Sequence, residues 1–286
     1  MDVCSDIAAV RTRVRDWKAQ GLRVGFVPTM GNLHAGHLAL VDEALRHADR
    51  VLVSIYVNPL QFNQEDDFSA YPRTLEADVE QLRTAGAQAL FTPDDDIIYP
   101  HGQQASCKVS VPGLSEVLEG EHRPGHFTGV TTVVAKLFNI VQPALAVFGE
   151  KDFQQLMLIR QMVRDLDMPI EIRAVATCRE ADGLAMSSRN GRLSPAQREQ
   201  APALYRELRR LADLVTNGER DYTELERQGL QRLREAGFEP EYLTLRRSSD
   251  LQPPAPDDRE LVILAAAWLG AVRLIDNLPL GPNLNP

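Results

Sequence analysis

Apolar positions along the chain switch repeatedly between two periods. Ile7, Val10, Val14 and Trp17 share one face of a predicted helix that Ser5 can cap and Gly21 ends. Arg23 to Val27 reads as a buried strand closed by Pro28. Leu38 to Ala48 is helical by spacing, through Leu38, Val41, Ala44, Leu45 and Ala48. Val51 to Val57 is almost wholly apolar, as strands buried on both faces are. The alternation goes on with a helix over Leu75 to Ala85, a strand over Ala87 to Phe91 and an apolar helix over Val130 to Val141. Then come a strand over Ala144 to Phe148, a helix over Phe153 to Leu166 and a strand over Ile170 to Val175. Such alternation predicts βαβ units and a parallel sheet, and right-handed crossovers wind that sheet doubly. Ligands of doubly wound sheets bind beyond the carboxyl ends of the strands, so the segments following each strand hold the candidate chemistry.

After Val175 the pattern changes. Helices are predicted over Pro195 to Val215 and Tyr222 to Ala236. Strands follow over Tyr242 to Leu245, Leu261 to Ala267 and Val272 to Ile275, the last two joined by a tight turn near Gly270. The fold class expected is α/β, a doubly wound parallel sheet over residues 1–176 with a smaller α+β domain over 177–286. The tail from Pro279 to Pro286 is expected to be disordered.

Composition narrows the class. The 286 residues are 44% hydrophobic and 25% charged, ordinary for a soluble globular protein. A net charge of −9 argues against a surface that coats nucleic acid. Cys4, Cys107 and Cys178 are far apart, with no CxxC, which argues against a disulfide framework or a cysteine zinc site. The first residues carry no basic and apolar leader, and Leu261 to Val272 is too short to span ~30 Å of hydrocarbon. A cytoplasmic protein is expected, with no membrane partner. Of the 31 basic residues only Lys18, Lys108, Lys136 and Lys151 are lysines. A lysine in a polar, Gly-flanked setting, as Lys151 is, therefore suggests a need for a compact point charge.

Four segments carry candidate chemistry. After the first predicted strand, Gly31 and Gly36 let backbone approach a ligand, and His34 and His37 lie three apart at a helix start. Free N–H groups and the helix dipole make that a ready phosphate site. After the next strand come the amides Asn58 and Gln61, then Tyr71-Pro72-Arg73-Thr74, with a helix cap expected at Thr74. Gly149-Glu150-Lys151-Asp152 follows another strand, where Asp152 can cap a helix or hold ribose hydroxyls, and Gln155 lies one turn on. Met186-Ser187-Ser188-Arg189-Asn190 offers two hydroxyls and a guanidinium suited to phosphate. Asp94-Asp95-Asp96 reads as a solvated turn after Pro93 rather than a metal site.

The His-x-Gly-His segment resembles the HIGH motif of nucleotidyl transferases, and the Ser-Ser-Arg segment resembles their second signature, KMSKS, with Arg189 in place of lysine. Together with Val57 to Phe62, Gly149 to Gln155, Arg123 to Phe127 and Ala267 to Gly270, they resemble the pantothenate synthetase family from about residue 20 to 277. Asn32 stands where alanine is common, and Cys178 where an apolar residue meets adenine.

The resemblance implies a Rossmann-like fold and condensation of pantoate with β-alanine through pantoyl adenylate, with ATP and Mg²⁺. It implies that Met30, Gly31, Asn32, Leu33, His34, Ala35, Gly36 and His37 cradle the nucleotide. Gly149, Glu150, Lys151, Asp152, Cys178, Met186, Ser187, Ser188 and Arg189 are expected to join them. His34, His37 and Lys151 would be catalytic, Gln61 and Gln155 would hold pantoate, and no protein residue is assigned to a metal. A homodimer through the first domain, with the second domain as a lid, is also implied. An adenylyltransferase that leaves AMP on its product is the alternative; it would share the first motif but not the two glutamines.

Overall fold

The computed structural model describes residues 1–63 and 65–281. The chain forms two compact units, one of Met1–Val175 and one beginning at Ala176. The first holds a six-stranded parallel sheet. Its strands are β1 (Asp2–Cys4), β2 (Val24–Thr29), β3 (Arg50–Ile55), β4 (Ala89–Phe91), β5 (Leu145–Gly149) and β6 (Glu171–Val175), in the order β1-β4-β3-β2-β5-β6. The main helices of this unit are α1 (Ile7–Ala19), α2 (Ala35–His47), α3 (Leu75–Thr84), α4 (His126–Val141) and α5 (Phe153–Asp165).

Side chains alternate across the pleat and give each face its own core. Phe26, Leu52, Ala146 and Phe148 meet Val10, Val14 and Trp17 of α1, Phe138 of α4 and Leu156 and Ile159 of α5. On the other face Val27, Val51, Val53, Leu145 and Val147 meet Leu40, Val41 and Ala44 of α2 and Leu82 of α3. Helices thus cover both faces. Full burial of each such large side chain contributes about 1.5–3 kcal/mol.

Strand order reverses between β2 and β5. The chain steps from β2 outward through β3 to β4, then returns to β2's other flank with β5. The β2–β5 ladder pairs only Gly25 with Leu145 and Phe26 with Ala146. Beyond it no further pair links the two strands, and such a switch point is where doubly wound sheets bind ligands. The same end of pairing explains why β2 runs on through Pro28 to Thr29 instead of stopping at the proline. Pro28 has a registered partner in β3, Ser54, but none in β5, so a missing N–H there costs little.

Other differences from the sequence expectation have similar local causes. β1 was not expected; it has three residues and one buried side chain, Cys4, so no apolar run announces it. The cap of α1 is Asp6, not Ser5: Asp6 Oδ1 accepts from the Ala9 N–H at 2.8 Å. α2 begins at Ala35 and α4 at His126, each ahead of its first large apolar residue.

In the second unit, β7 (Glu239–Arg247), β8 (Leu261–Leu269) and β9 (Val272–Leu280) form an antiparallel sheet. It packs with α6 (Ala203–Thr216) and α7 (Tyr222–Glu235) around Leu204, Leu208, Leu211, Leu225 and Ile263. The single helix expected over Pro195 to Val215 is two, Pro195–Gln200 and α6, divided at Pro202, which supplies no N–H to continue the first. Pro279 is not in a tail. It pairs with Val262 at the end of β9, an edge strand that tolerates proline. Residues 282–286 of the expected tail lie outside the described residues.

Candidate active site

The turn after β2 is held from three sides. Thr29 Oγ1 donates to the Ser54 carbonyl at 2.7 Å and accepts from the Gly31 N–H at 3.2 Å. Asp78 of α3, 1% exposed, accepts from the Asn32 N–H at 2.9 Å and the Leu33 N–H at 2.8 Å. Thr74 Oγ1 donates to the same carboxylate at 3.2 Å. Thr74 occupies the cap position of α3 without capping it, because its hydroxyl is used there. The backbone turns left-handed here: Gly31 has φ +78°, which glycine adopts freely, and Asn32 φ +50°, which residues with a side chain seldom adopt. A Cβ at Gly31 would lie 2.9 Å from Ile55 Cγ2 and 3.0 Å from Asp78 Oδ2.

The turn delivers His34 to the N-cap of α2. His34 Nδ1 accepts from the Gly36 N–H at 3.1 Å, and His37 Nδ1 accepts from the His34 N–H at 3.2 Å. The rings lie 4.0 Å apart between centroids. With both Nδ1 atoms accepting, each neutral ring carries its proton on Nε2. Burial, then His34, then Lys151 push His37 down to about 3. His34 is lowered by burial and next by Lys151, with Asp152 opposing. Both imidazoles are therefore neutral Nε2–H donors near pH 7, and Lys151 belongs to the same electrostatic neighbourhood.

Gln61, 9% exposed, ends the short turn Pro59–Gln61 after β3. Its Nε2 contacts Met30 Sδ at 3.1 Å, so the structure joins these two candidate segments. Its carbonyl accepts from His126 Nδ1 at 2.7 Å and Arg123 Nη2 at 3.2 Å. Arg123 Nη1 donates to His126 Nε2 at 3.2 Å, which leaves Nδ1 the proton. Burial, then Arg123, lower His126 to about 4. Gly129 lets the Gln61 turn lie against α4, since a Cβ there would be 2.4 Å from the Leu60 carbonyl oxygen.

After β5, Glu150–Asp152 forms a 3₁₀ turn leading into α5. Asp152 occupies the cap position of α5 but makes no capping bond. The adjacent glutamines divide. Gln154, 3% exposed, accepts from the Glu119 N–H at 3.2 Å and donates to the Leu114 and Val117 carbonyls at 2.8 Å each. Gln155 is half-buried.

The remaining candidates lie in the second unit, described by itself. Cys178 accepts the Met186 N–H at 2.9 Å through its carbonyl, and Arg179 bridges Ala185, so residues 178–186 form a small hairpin. Arg179 pins that hairpin to β9: it pairs with Asp276 at 2.7 and 3.0 Å and lies 3.6 Å from the Tyr205 ring centroid. Beyond the hairpin, the Arg189 N–H donates to Ser187 Oγ at 3.2 Å, and Asn190 Nδ2 donates to the Ala185 carbonyl at 3.0 Å.

The sequence profile described as Pantoate-beta-alanine ligase matches residues 2–279. The chain belongs to that family. It is 57% identical to the pantothenate synthetase of Shewanella loihica, over 97% of this chain and 98% of that one. The crystal structure of pantothenate synthetase from Thermus thermophilus matches with a TM-score of 0.91 and 44% identity, over 99% and 100% of the two chains. That of pantoate-beta-alanine ligase from Francisella tularensis, complexed with beta-gamma ATP and beta-alanine, matches at 0.83 with 34% identity, over 97% of each.

Asp78, Arg123 and His126 hold the candidate segments in place, and the sequence does not single out their roles. A signal existed for Asp78: an acid on the same helix as Val79 and Leu82, four residues after Thr74. Half-buried His37 and buried His126, both neutral, also make stability depend on pH. His37 and His126 bind fewer protons folded than unfolded below pH ~6.5. Their contribution is fully present above that pH and is lost as pH falls toward 4 and then 3. Denaturant melts are expected to lose stability from pH 7 to pH 5 by up to about 1.4 kcal/mol per pH unit per histidine. The slope should flatten in His126→Phe; an unchanged slope would contradict a neutral buried ring.

Proposed function

We propose that this chain condenses pantoate with β-alanine at the expense of ATP, through pantoyl adenylate. A pantoate carboxylate oxygen attacks the α-phosphorus, the bond to the β-phosphate breaks and pyrophosphate leaves. The β-alanine amine then attacks the acyl carbon, AMP leaves with the carboxyl-derived oxygen, and the amine's proton passes to solvent. The adenylate gives a poor electrophile a good leaving group.

The observation that carries this reading is the pair of neutral Nε2–H donors at the switch point, with Lys151 in their electrostatic neighbourhood. A carboxylate nucleophile needs no general base. A ring lowered to about 3 is not an acid near pH 7, so His37 acts by donating a hydrogen bond to charge that develops on phosphate. Met30 to His37 would cradle the phosphates, with the Nε2–H groups of His34 and His37 as donors, since the N–H groups of Gly31, Asn32, Leu33, His34 and Gly36 already have protein acceptors. Gly149 and Asp152 would meet ribose; Asp152's carboxylate is not consumed by capping. Glu150, Cys178, Met186, Ser187, Ser188 and Arg189 complete the nucleotide contacts in this reading, and Gln61 and Gln155 hold pantoate.

Magnesium arrives with ATP and neutralises phosphate charge. Among the described residues no three His, Cys, Asp or Glu side chains gather to hold a metal. No helix among the described residues is long and apolar enough to cross a membrane. A cytoplasmic homodimer joined through the first unit belongs to the same reading, and sedimentation tests its oligomeric part.

Labelled pyrophosphate should exchange into ATP with pantoate alone, and AMP release should require β-alanine as well. Exchange that strictly needs β-alanine would replace the two-step route with a concerted one.

A further inference from the structure

A side-chain amide has an acceptor end and a donor end. At Gln61 the surroundings leave one orientation. Asn58, 1% exposed, stands at the centre of a chain of contacts. Its Nδ2 donates to the Gly129 carbonyl at 3.1 Å and to Gln61 Oε1 at 3.1 Å, while its Oδ1 accepts from the Tyr99 hydroxyl at 2.7 Å. A backbone carbonyl only accepts, so the Asn58 atom facing Gly129 is the nitrogen. The oxygen then faces Tyr99, 2% exposed, whose phenol burial and Asp95 keep protonated. The second hydrogen of Asn58 Nδ2 needs an acceptor, which turns Gln61 Oε1 inward. The other end of Gln61, Nε2, rests on the Met30 sulfur at 3.1 Å, a weak acceptor that an oxygen ligand readily replaces.

We propose that Tyr99 and Asn58 are positioning residues that set Gln61 as a hydrogen-bond donor toward the substrate. The position then selects a substrate atom with exposed lone pairs, a carboxylate or hydroxyl oxygen. It rejects the protonated amine of the second substrate, because donor would meet donor. The rigid element at the base of the relay is α4, whose Gly129 carbonyl fixes the first amide. Tyr99, on a different segment, fixes the same amide from the other side. This proposal rests on the reading of Gln61 as a pantoate-binding residue.

Two measurements test it on the full-length protein. With ¹⁵N-glutamine labelling, one side-chain NH₂ pair should vanish in Gln61→Ala. That same pair should shift in the wild type as pantoate saturates, with saturation followed by calorimetry. Second, Tyr99→Phe deprives Asn58 Oδ1 of its donor and frees the relay. The pantoate KM should rise by roughly 3–10-fold, the size of one lost buried hydrogen bond, while the ATP KM stays within about twofold. A Gln61 amide pair unmoved at saturation overturns the proposal, and so does a Tyr99→Phe enzyme with wild-type pantoate KM. If Gln61→Ala leaves the pantoate KM unchanged, the reading of Gln61 fails and the relay falls with it. If Gln61→Ala raises that KM and Tyr99→Phe does not, only the relay fails. Should Tyr99→Phe not fold, Asn58→Ser takes its place, and a wild-type pantoate KM in that enzyme overturns the proposal.

Discussion

His37→Ala is expected to lower kcat by ~10²–10³, because one preorganised donor to developing charge contributes about 3–4 kcal/mol. Lys151→Ala should lower it by a similar factor, since in the proposed reading its compact ammonium, which acts electrostatically on both rings, would meet the same phosphate charge. The ring itself titrates at about 3, so the wild-type rate should show no loss through deprotonation of His37 between pH 6 and 8. His37→Gln separates the two possible roles. Its amide donates a hydrogen bond but cannot transfer a proton, so it should recover part of the rate if the ring acts as a donor. A glutamine enzyme no better than the alanine enzyme would favour proton transfer instead. Lys151→Arg should recover little, despite the preference of this chain for arginine, because a planar fork does not replace a point charge. Normal kcat in either alanine enzyme would remove the residue from the phosphate site.

The parts of this ligase legible in its sequence are those with a repeating physical signal. Val51 to Val57 announced a doubly buried strand through its run of apolar residues, and the structure has β3 there, ending slightly earlier at Ile55. His34 and His37 announced a helix start through spacing, and that start is α2. The illegible parts depend on partners distant in sequence. β1 is recognisable only beside β4, whose Ala89 to Phe91 pair with Asp2 to Cys4. The division at Pro202 required choosing between a strong helical period and one proline, and the proline won. Within the site, the residues that would touch ligand were visible as polar residues after strands. The residues that hold them were not. In the sequence His126 is one more residue of a familial segment; in the structure its ring lies on the Gln61 carbonyl, 65 positions away along the chain. Gln154 and Gln155 were indistinguishable by type, and burial separates them, because only Gln154 is turned into the 114–119 segment.

Asp78 carries the largest expected structural effect. Its two carboxylate oxygens satisfy the N–H groups of Asn32 and Leu33, in a turn where Gly31 and Asn32 both have positive φ. Glycine adopts that conformation freely, but at Asn32 it is sparsely populated and persists only where the surroundings over-determine it. Asp78→Ala removes both acceptors and leaves buried donors unpaired, at on the order of 1–3 kcal/mol for each. The turn should then relax, and with it the placement of His34 and His37 at the start of α2. Asp78→Asn is the sharper test. It keeps the volume and one oxygen but sets an NH₂ against one of the two N–H donors, so a single contact inverts. Its denaturation midpoint should fall less than that of the alanine enzyme. Its ATP KM should still rise, because the turn is displaced at the inverted contact. The pantoate KM should change less, since Gln61 is held by α4 and His126 and not by Asp78. An Asp78→Asn enzyme with wild-type ATP KM would show that the turn keeps its shape without the carboxylate. The Thr29 bonds to the Ser54 carbonyl and the Gly31 N–H, with the one oxygen that the variant keeps, would then suffice to hold it.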